Sequence, residues 1–174
     1  MNHCLKPPHT LRAAAPRDLA AIVALITELA EFEQLAHLLE VTADKLAPHL
    51  FGPRPAAECV VGEVGDEVVG FALFFTNFST FLARPGLYLE DLYVRPPHRG
   101  TGLGKALLSH LGRLAAERGC GRIEWSVLDW NANAIAFYES LGATVLPDWR
   151  ICRISGERLA AYAAVTDPIS RGPT

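Results

Sequence analysis

The sequence has no excess of basic residues that would suggest a polyanionic partner. Its 174 residues carry 16 Lys and Arg against 19 Asp and Glu, which gives a formal net charge of −3. A protein that grips a phosphate backbone usually presents a basic surface that neutralises several phosphates. Nucleic acid is therefore not expected as a partner.

Long apolar runs and paired cysteines are also missing. Residues 1–12 contain prolines and histidines but no apolar stretch of the signal-peptide kind, and no later run is long enough to cross a bilayer. The four cysteines are scattered and form no CxxC pair, which argues against a disulfide framework. We expect a reduced, cytoplasmic protein without a membrane partner and without a metal site.

Half of the positions are apolar, enough for one substantial core at this length. We expect a leader over residues 1–9, a single domain over residues 10–165 and a flexible tail over residues 166–174. Strand and helix patterns alternate in the second half of the chain, which predicts an α/β fold around a largely antiparallel, partly parallel sheet.

Apolar spacing and turn residues predict the individual elements. A helix begins at Pro16 and ends in an acidic tail near Glu33, and an aromatic loop, a candidate lid, covers Asn77–Gly86. The remaining strands are expected at Thr10–Ala14, Cys59–Val64, Val68–Thr76, Leu87–Val94, Ile123–Leu128 and Trp149–Ile154, and the remaining helices at Thr42–Leu50, Gly102–Gly119 and Ala132–Leu141.

A glycine-rich turn leaves one predicted strand and opens a predicted helix, over residues 94–105 with the sequence VRPPHRGTGLGK. Unpaired N–H groups and the dipole at a helix start favour an anion, and glycines let a phosphate approach the backbone. An ordinary turn is the alternative. A P-loop is excluded because Ala106 follows Lys105, and the dinucleotide fingerprint lacks its third glycine and its acidic partner.

The pattern Arg99-x-x-Gly102-x-Gly104 resembles the acetyl-CoA pyrophosphate motif of the GNAT acetyltransferase superfamily. The segments Tyr88–Val94, Trp130-Asn131 and Ala136–Ala143 are similar to the spermidine/spermine N-acetyltransferase branch and its bacterial relatives. The likeness covers about Leu11 to Tyr162.

This resemblance implies a mixed sheet of six or seven strands, with acetyl-CoA as co-substrate between two central parallel strands that splay apart. It also implies a homodimer. Backbone groups near the end of the first splayed strand would hold the pantetheine, and the glycine loop would hold the pyrophosphate. The cofactor-binding residues are then Leu92, Tyr93, Val94, Arg99, Gly100, Thr101, Gly102, Leu103, Gly104, Lys105, Asn131 and Ala134.

Acetyl transfer to an amine needs a base for the ammonium and an acid for the departing thiolate. An alkylamine has a pKa of about 10.4 and arrives protonated, so Glu90 is the candidate base, directly or through water. Tyr138 is the candidate acid because the family places its general acid there. Tyr138 could instead simply pack its helix on the sheet. A covalent route through Cys120 lacks a nearby histidine and is not favoured.

The candidate substrate-binding residues are carboxylates and aromatics that suit a cation. They are Phe32, Glu33, Glu90, Asp91, Trp125 and Trp149. A solvated helix end is the alternative explanation for Glu33. We expect the acceptor to be a small primary amine, either a polyamine, a diamine or a thialysine-like amino acid. The alternatives are a CoA-binding regulatory module without catalysis and an acetyltransferase for protein N-termini or lysines, which the bulky loop after Asn77 argues against.

Overall fold

A computed structural model of the chain describes residues 8–163, and these fall into two compact units, residues 8–131 and residues 132–163. The predicted tail and all but the end of the predicted leader lie outside the described residues. The first unit contains the sheet and three α-helices, and the described part of the second contains two α-helices. Within residues 8–163, no helix has both the length and the apolar character needed to cross a membrane.

The first unit is built on a mixed five-stranded sheet with the strand order β1-β2-β3-β4-β5. Neighbouring strands are antiparallel except β4 and β5, which are parallel. The α/β class is therefore as predicted, although five strands are found among the described residues where six or seven were expected. The strands are β1 His9–Ala13, β2 Glu58–Val64, β3 Glu67–Ser79, β4 Arg84–Val94 and β5 Ile123–Glu124.

Helices α1 (Leu19–Phe32), α2 (Ala43–Phe51) and α3 (Leu103–Glu117) flank the sheet. Helix α2 begins as predicted, because the Thr42 hydroxyl oxygen accepts a hydrogen bond from the backbone N–H of Lys45 at 3.3 Å. The second unit contains α4 (Ala132–Ser140) and α5 (Gly156–Ala163). The α5 helix was not anticipated from the sequence.

Two apolar clusters cover the two faces of the sheet. The α3-side cluster includes Leu87 and Leu89 of β4 together with Leu103 and Leu107 of the helix. The α1-side cluster joins Ile22 and Leu25 of α1 to Phe71 and Tyr93 of the sheet. Since β4 contributes to both clusters, its position is fixed from both sides.

Leu103, the first residue of α3, packs onto a pair of facing glycines. Gly62 on β2 and Gly70 on β3 are directly paired. A Cβ atom on Gly62 would lie 2.6 Å from the side chain of Leu103, and one on Gly70 would lie 3.3 Å from it. The missing side chains therefore let the start of α3 approach the sheet closely.

Three predicted elements differ from the structure. The predicted loop Asn77–Gly86 is mostly strand, because β3 runs to Ser79 and β4 starts at Arg84. Only Ile123 and Glu124 of the predicted strand Ile123–Leu128 pair with a neighbour. The predicted strand Trp149–Ile154 is absent from the described residues, where this exposed segment has no regular secondary structure.

Candidate active site

The parallel strands β4 and β5 part soon after they meet. Their pairing is limited to Leu87 with Ile123 and Tyr88 with Glu124. Strand β4 continues to Val94, and in the described part of the chain no strand pairs with residues 89–94 on that side. This stretch of β4 includes Leu92, Tyr93 and Val94, and an open strand edge offers backbone donors and acceptors to an extended ligand.

Glu90 is the extra residue of a β-bulge at the start of the open edge. Leu73 and Phe74 of β3 pair with Asp91 and Leu89, so Glu90 has no partner on β3. The extra residue shifts the alternation of side chains along β4. Leu89 and Leu92 consequently both face the α3-side cluster, while the side chain of Glu90 is exposed.

The glycine loop continues from β4 into α3, as predicted. Gly102 caps the helix with φ of 92°, a left-handed conformation that glycine adopts without strain. No side chain caps the helix, and the nearest atom to a Cβ on Gly102 would be in His9, 3.9 Å away. The N–H groups of the first helical turn have no partner inside a helix. The arrangement therefore fits a phosphate group.

Two contacts shape the rest of the loop. The Thr101 hydroxyl donates to the backbone carbonyl of His98 at 2.7 Å, and Arg99 Nε donates to the carbonyl of Val94 at 2.8 Å. The guanidinium of Arg99 also lies 5.1 Å from the ring centroid of Phe32 and 5.3 Å from that of Tyr93. Lys105 is exposed in the first turn of α3.

Arg95, near the start of the loop, is neutralised by two carboxylates. Its guanidinium lies 2.9 Å from Glu28 of α1 and 2.6 Å from Glu67 of β3. Glu28 therefore serves to hold α1 against the end of β4. Two carboxylates of the acidic tail therefore differ in their surroundings. Glu28 is paired with Arg95, whereas Glu33 interacts electrostatically with the carboxylate of Asp91.

Asp91 lies within the electrostatic reach of two further carboxylates, Glu90 and Glu33. Burial raises the pKa of Asp91, and the negative charges of Glu90 and Glu33 act in the same direction, so that together they bring it to about 6. Burial also raises the pKa of Glu33. Binding of a cation among these carboxylates is therefore favourable.

The aromatic residues expected at the amine site have different surroundings. Phe32 contacts Arg99 as described and also Trp130, with ring centroids 6.0 Å apart. Trp125 packs against the α3-side cluster, whereas Asp91 lies opposite Leu73, a member of the α1-side cluster. Phe32 and Glu33 therefore lie together at the end of α1, whereas Trp125 lies on the α3 side of the sheet. The contact of Trp130 with Phe32 was not predicted, because in the sequence Trp130 stood out only as part of the Trp130-Asn131 resemblance.

Asn131, the last residue of the first unit, donates its backbone N–H to Leu128 at 2.9 Å. Ala134 and Tyr138 belong to α4 in the second unit, where both are partly buried and the Tyr138 ring lies 5.3 Å from that of Phe137. Trp149 is 72% exposed in the same unit. The roles expected for these residues stay predictions.

The described cysteines do not favour a covalent route. Cys59 is buried, and burial with the charges of Asp18 and Asp91 raises its pKa to about 12, which keeps it a thiol. Cys120 packs partly against the α3-side cluster, and Cys152 is exposed in the second unit. Residues 8–163 hold no cluster of His, Cys, Asp and Glu suited to a metal ion.

Comparison with known proteins gives consistent matches. The profile of the acetyltransferase (GNAT) family matches residues 23–143. The chain is 36% identical to an L-ornithine N5-acetyltransferase of Arabidopsis thaliana, covering 87% of this chain and 86% of the relative. It is 35% identical to a thialysine N-epsilon-acetyltransferase of Bos taurus, covering 88% and 96%.

Solved structures show the same fold. An integron cassette protein from the mobile metagenome of V. cholerae superposes with a TM-score of 0.75 at 24% identity, over 90% of this chain and 98% of the other. An aminoglycoside acetyltransferase from an uncultured soil metagenomic sample gives a TM-score of 0.71 at 18% identity, over 84% and 95%.

The fold and the curated relatives define an N-acetyltransferase enzyme. The chain belongs to the acetyltransferase (GNAT) family, as the resemblance of its glycine loop and its Tyr138 segment implied.

Proposed function

We propose that the chain transfers an acetyl group from acetyl-CoA to the primary amine of a small basic amino acid or diamine. The observation that carries the proposal is the layout of β4, which has the bulge and two of the carboxylates at its open edge and leads directly into the glycine loop. Donor and acceptor could then meet along one strand.

The donor would bind at the end of β4 and the start of α3. Backbone groups of Leu92, Tyr93 and Val94 would hold the pantetheine arm, and Asn131 with Ala134 would contact it further along. The pyrophosphate would lie on residues 100–105, where the helix dipole supplies roughly half a positive charge. Arg99 and Lys105 would add full charges.

The acceptor would bind among Glu33, Glu90 and Asp91. Asp91 is partly buried and also lies near the negative charges of Glu90 and Glu33, and an ammonium ion in this group would offset both effects. The two curated relatives described above are named for ornithine and thialysine, both of which carry a side-chain amine. We therefore assign the acceptor to basic amino acids and related diamines, with Trp149 as a further candidate contact.

The chemistry would proceed by direct attack in a ternary complex. Glu90, exposed on its bulge, takes one proton from the ammonium, directly or through water. The nitrogen then forms the bond to the acetyl carbon as the carbon–sulfur bond breaks. The nitrogen then loses its second proton to water, while Tyr138 gives its phenolic proton to the leaving sulfur and regains one from solvent. Glu90 returns its proton to solvent, so the overall products are the neutral amide, the CoA thiol and one released proton.

The proposal extends to assembly and location. Exposed apolar side chains recur in the second unit, where Leu146, Trp149 and Ile151 are 55%, 72% and 72% exposed. A homodimer would bury such a surface, and size-exclusion chromatography at several concentrations tests it. The described cysteines are all free, which is consistent with a cytoplasmic protein.

A screen of thiol release from acetyl-CoA tests the function. The amines would be ornithine, thialysine, lysine, short diamines, spermidine, an aminoglycoside and a peptide with a free N-terminus. We expect turnover with the basic amino acids or diamines. Tight CoA binding without turnover of any amine would support a regulatory module instead, and turnover of the peptide alone would support a protein acetyltransferase.

A further inference from the structure

Phe32 contacts the donor side of the site. It is the last residue of α1, next to Glu33, and its ring is 43% exposed. The ring centroid nevertheless lies 5.1 Å from the guanidinium carbon of Arg99, within the range of a cation–π contact. An aromatic ring at the end of α1 is thereby linked to a cationic residue of the glycine loop.

Arg99 is held by three groups. Phe32 lies near its guanidinium, and so does the buried ring of Tyr93, 5.3 Å away. The carbonyl of Val94 accepts its Nε–H at 2.8 Å. A guanidinium restrained in this way has less rotamer freedom to lose when it meets an anion.

Trp130 contacts the ring of Phe32, which in turn contacts Arg99. Its ring is tilted by 51° to that of Phe32, with centroids 6.0 Å apart, which is a favourable geometry for an aromatic pair. Trp130, Phe32 and Arg99 therefore form a continuous series of contacts, which we call the aromatic brace.

The positive charge of Arg99 near Phe32 disfavours binding of the substrate ammonium at this ring. An ammonium ion seated on the same ring would be repelled by the Arg99 guanidinium, since like charges at such a separation interact unfavourably. The carboxylates Glu33, Glu90 and Asp91 offer a cation a better environment.

We infer that Phe32, steadied by Trp130, is a positioning residue for Arg99 and so sets the affinity for the pyrophosphate of CoA rather than for the amine. The inference rests on the proposed donor site, and it reassigns Phe32 from the acceptor to the donor.

The test is calorimetric titration of CoA into the wild-type chain, Phe32→Leu and Phe32→Tyr. Leucine keeps the apolar bulk without the ring, and tyrosine keeps the ring. We expect Phe32→Leu to raise the Kd for CoA about fivefold and Phe32→Tyr to change it less than about twofold. In an Arg99→Met background, Phe32→Leu should cause no further loss.

A Kd for CoA that is insensitive to Phe32→Leu, together with a raised KM for the amine, would overturn the inference. So would equal losses in the leucine and tyrosine variants, because the ring would then be irrelevant. Failure of the wild-type chain to bind CoA would overturn the proposed function and this inference with it. Failure of the inference alone would leave CoA binding by the wild-type chain intact.

Discussion

Leu103 occupies the space that a side chain on Gly62 would need, since a Cβ there would lie 2.6 Å from the leucine Cδ1. Leu103 is buried at the first position of α3, so this contact sets how closely the start of the helix approaches β2. The position of the glycine loop, which follows β4, thus depends on Gly62 of β2.

Gly62→Ala should push Leu103 and the start of α3 away from the sheet. We expect a loss of about 1–3 kcal/mol in the free energy of unfolding, typical of overpacking, and weaker CoA binding. Gly112→Ala is the matched control, because Gly112 lies within α3 with open space at its Cβ. That change should stabilise the chain by about 0.5–1 kcal/mol and leave the Kd for CoA unchanged. Urea unfolding and calorimetry measure both effects, and equal behaviour of the two variants would contradict the account.

Gly102→Ala should weaken CoA binding about tenfold, because a methyl group at the helix cap would enter the space assigned to the phosphate. The left-handed φ of 92° also adds strain. Gly65→Ala provides the control, since Gly65 has φ of 61° and an open Cβ position but lies in the β2–β3 turn. Both variants should lose similar stability, and only Gly102→Ala should lose CoA affinity. A loss of affinity in both would show that strain alone is responsible.

Asp91→Asn should change how stability depends on pH. The folded chain holds the Asp91 proton up to a pKa of about 6, compared with an ordinary value of 3.8. The folded state therefore binds more protons in this window, and the free energy of unfolding falls as pH rises through it. The asparagine variant lacks this fall and should be more stable than the wild type near neutral pH, by on the order of 1 kcal/mol. Urea unfolding from about pH 4 to about pH 7 measures the difference, and parallel curves would refute it.

Tyr138→Phe should lower kcat by about 100-fold while leaving the Kd for CoA unchanged, because only the proton for the leaving sulfur is removed. Steady-state kinetics and calorimetry separate the two quantities. Phe137→Tyr, one position earlier on α4, tests whether a displaced hydroxyl can substitute, and we expect no rescue in the double variant. Full turnover by Tyr138→Phe would show that the acid lies elsewhere.

Local signals in the sequence explain how much of the fold could be predicted. Thr42 marks the start of α2 because its hydroxyl accepts an N–H of the first turn, and the glycine loop marks the passage from β4 to α3. Residues Asn77–Gly86 were predicted to form an aromatic loop, yet their backbone pairs in register from Asn77 with Gly86 to Ser79 with Arg84. Pairing with a neighbouring strand decided their structure.

The parts of the site that could not be predicted depend on contacts between residues distant in sequence. The bulge at Glu90 follows from the register of β4 against β3, which side-chain alternation alone does not reveal. The contact of Phe32 with Arg99 joins α1 to a loop far along the chain. The carboxylates were predicted by type, but the pairing of Glu28 with Arg95, which distinguishes it from Glu33, appears only in the fold.

The most direct measurement of the central claim follows the acetyl group itself. The chain would be incubated with acetyl-CoA labelled in the acetyl group, with and without the most active amine of the screen, and the products analysed by mass spectrometry. We expect one labelled amide on the primary amine for each thiol released, and no label on the protein when the amine is omitted. Label on the protein before the amine is added, or release of labelled acetate alone, would contradict direct transfer to an amine.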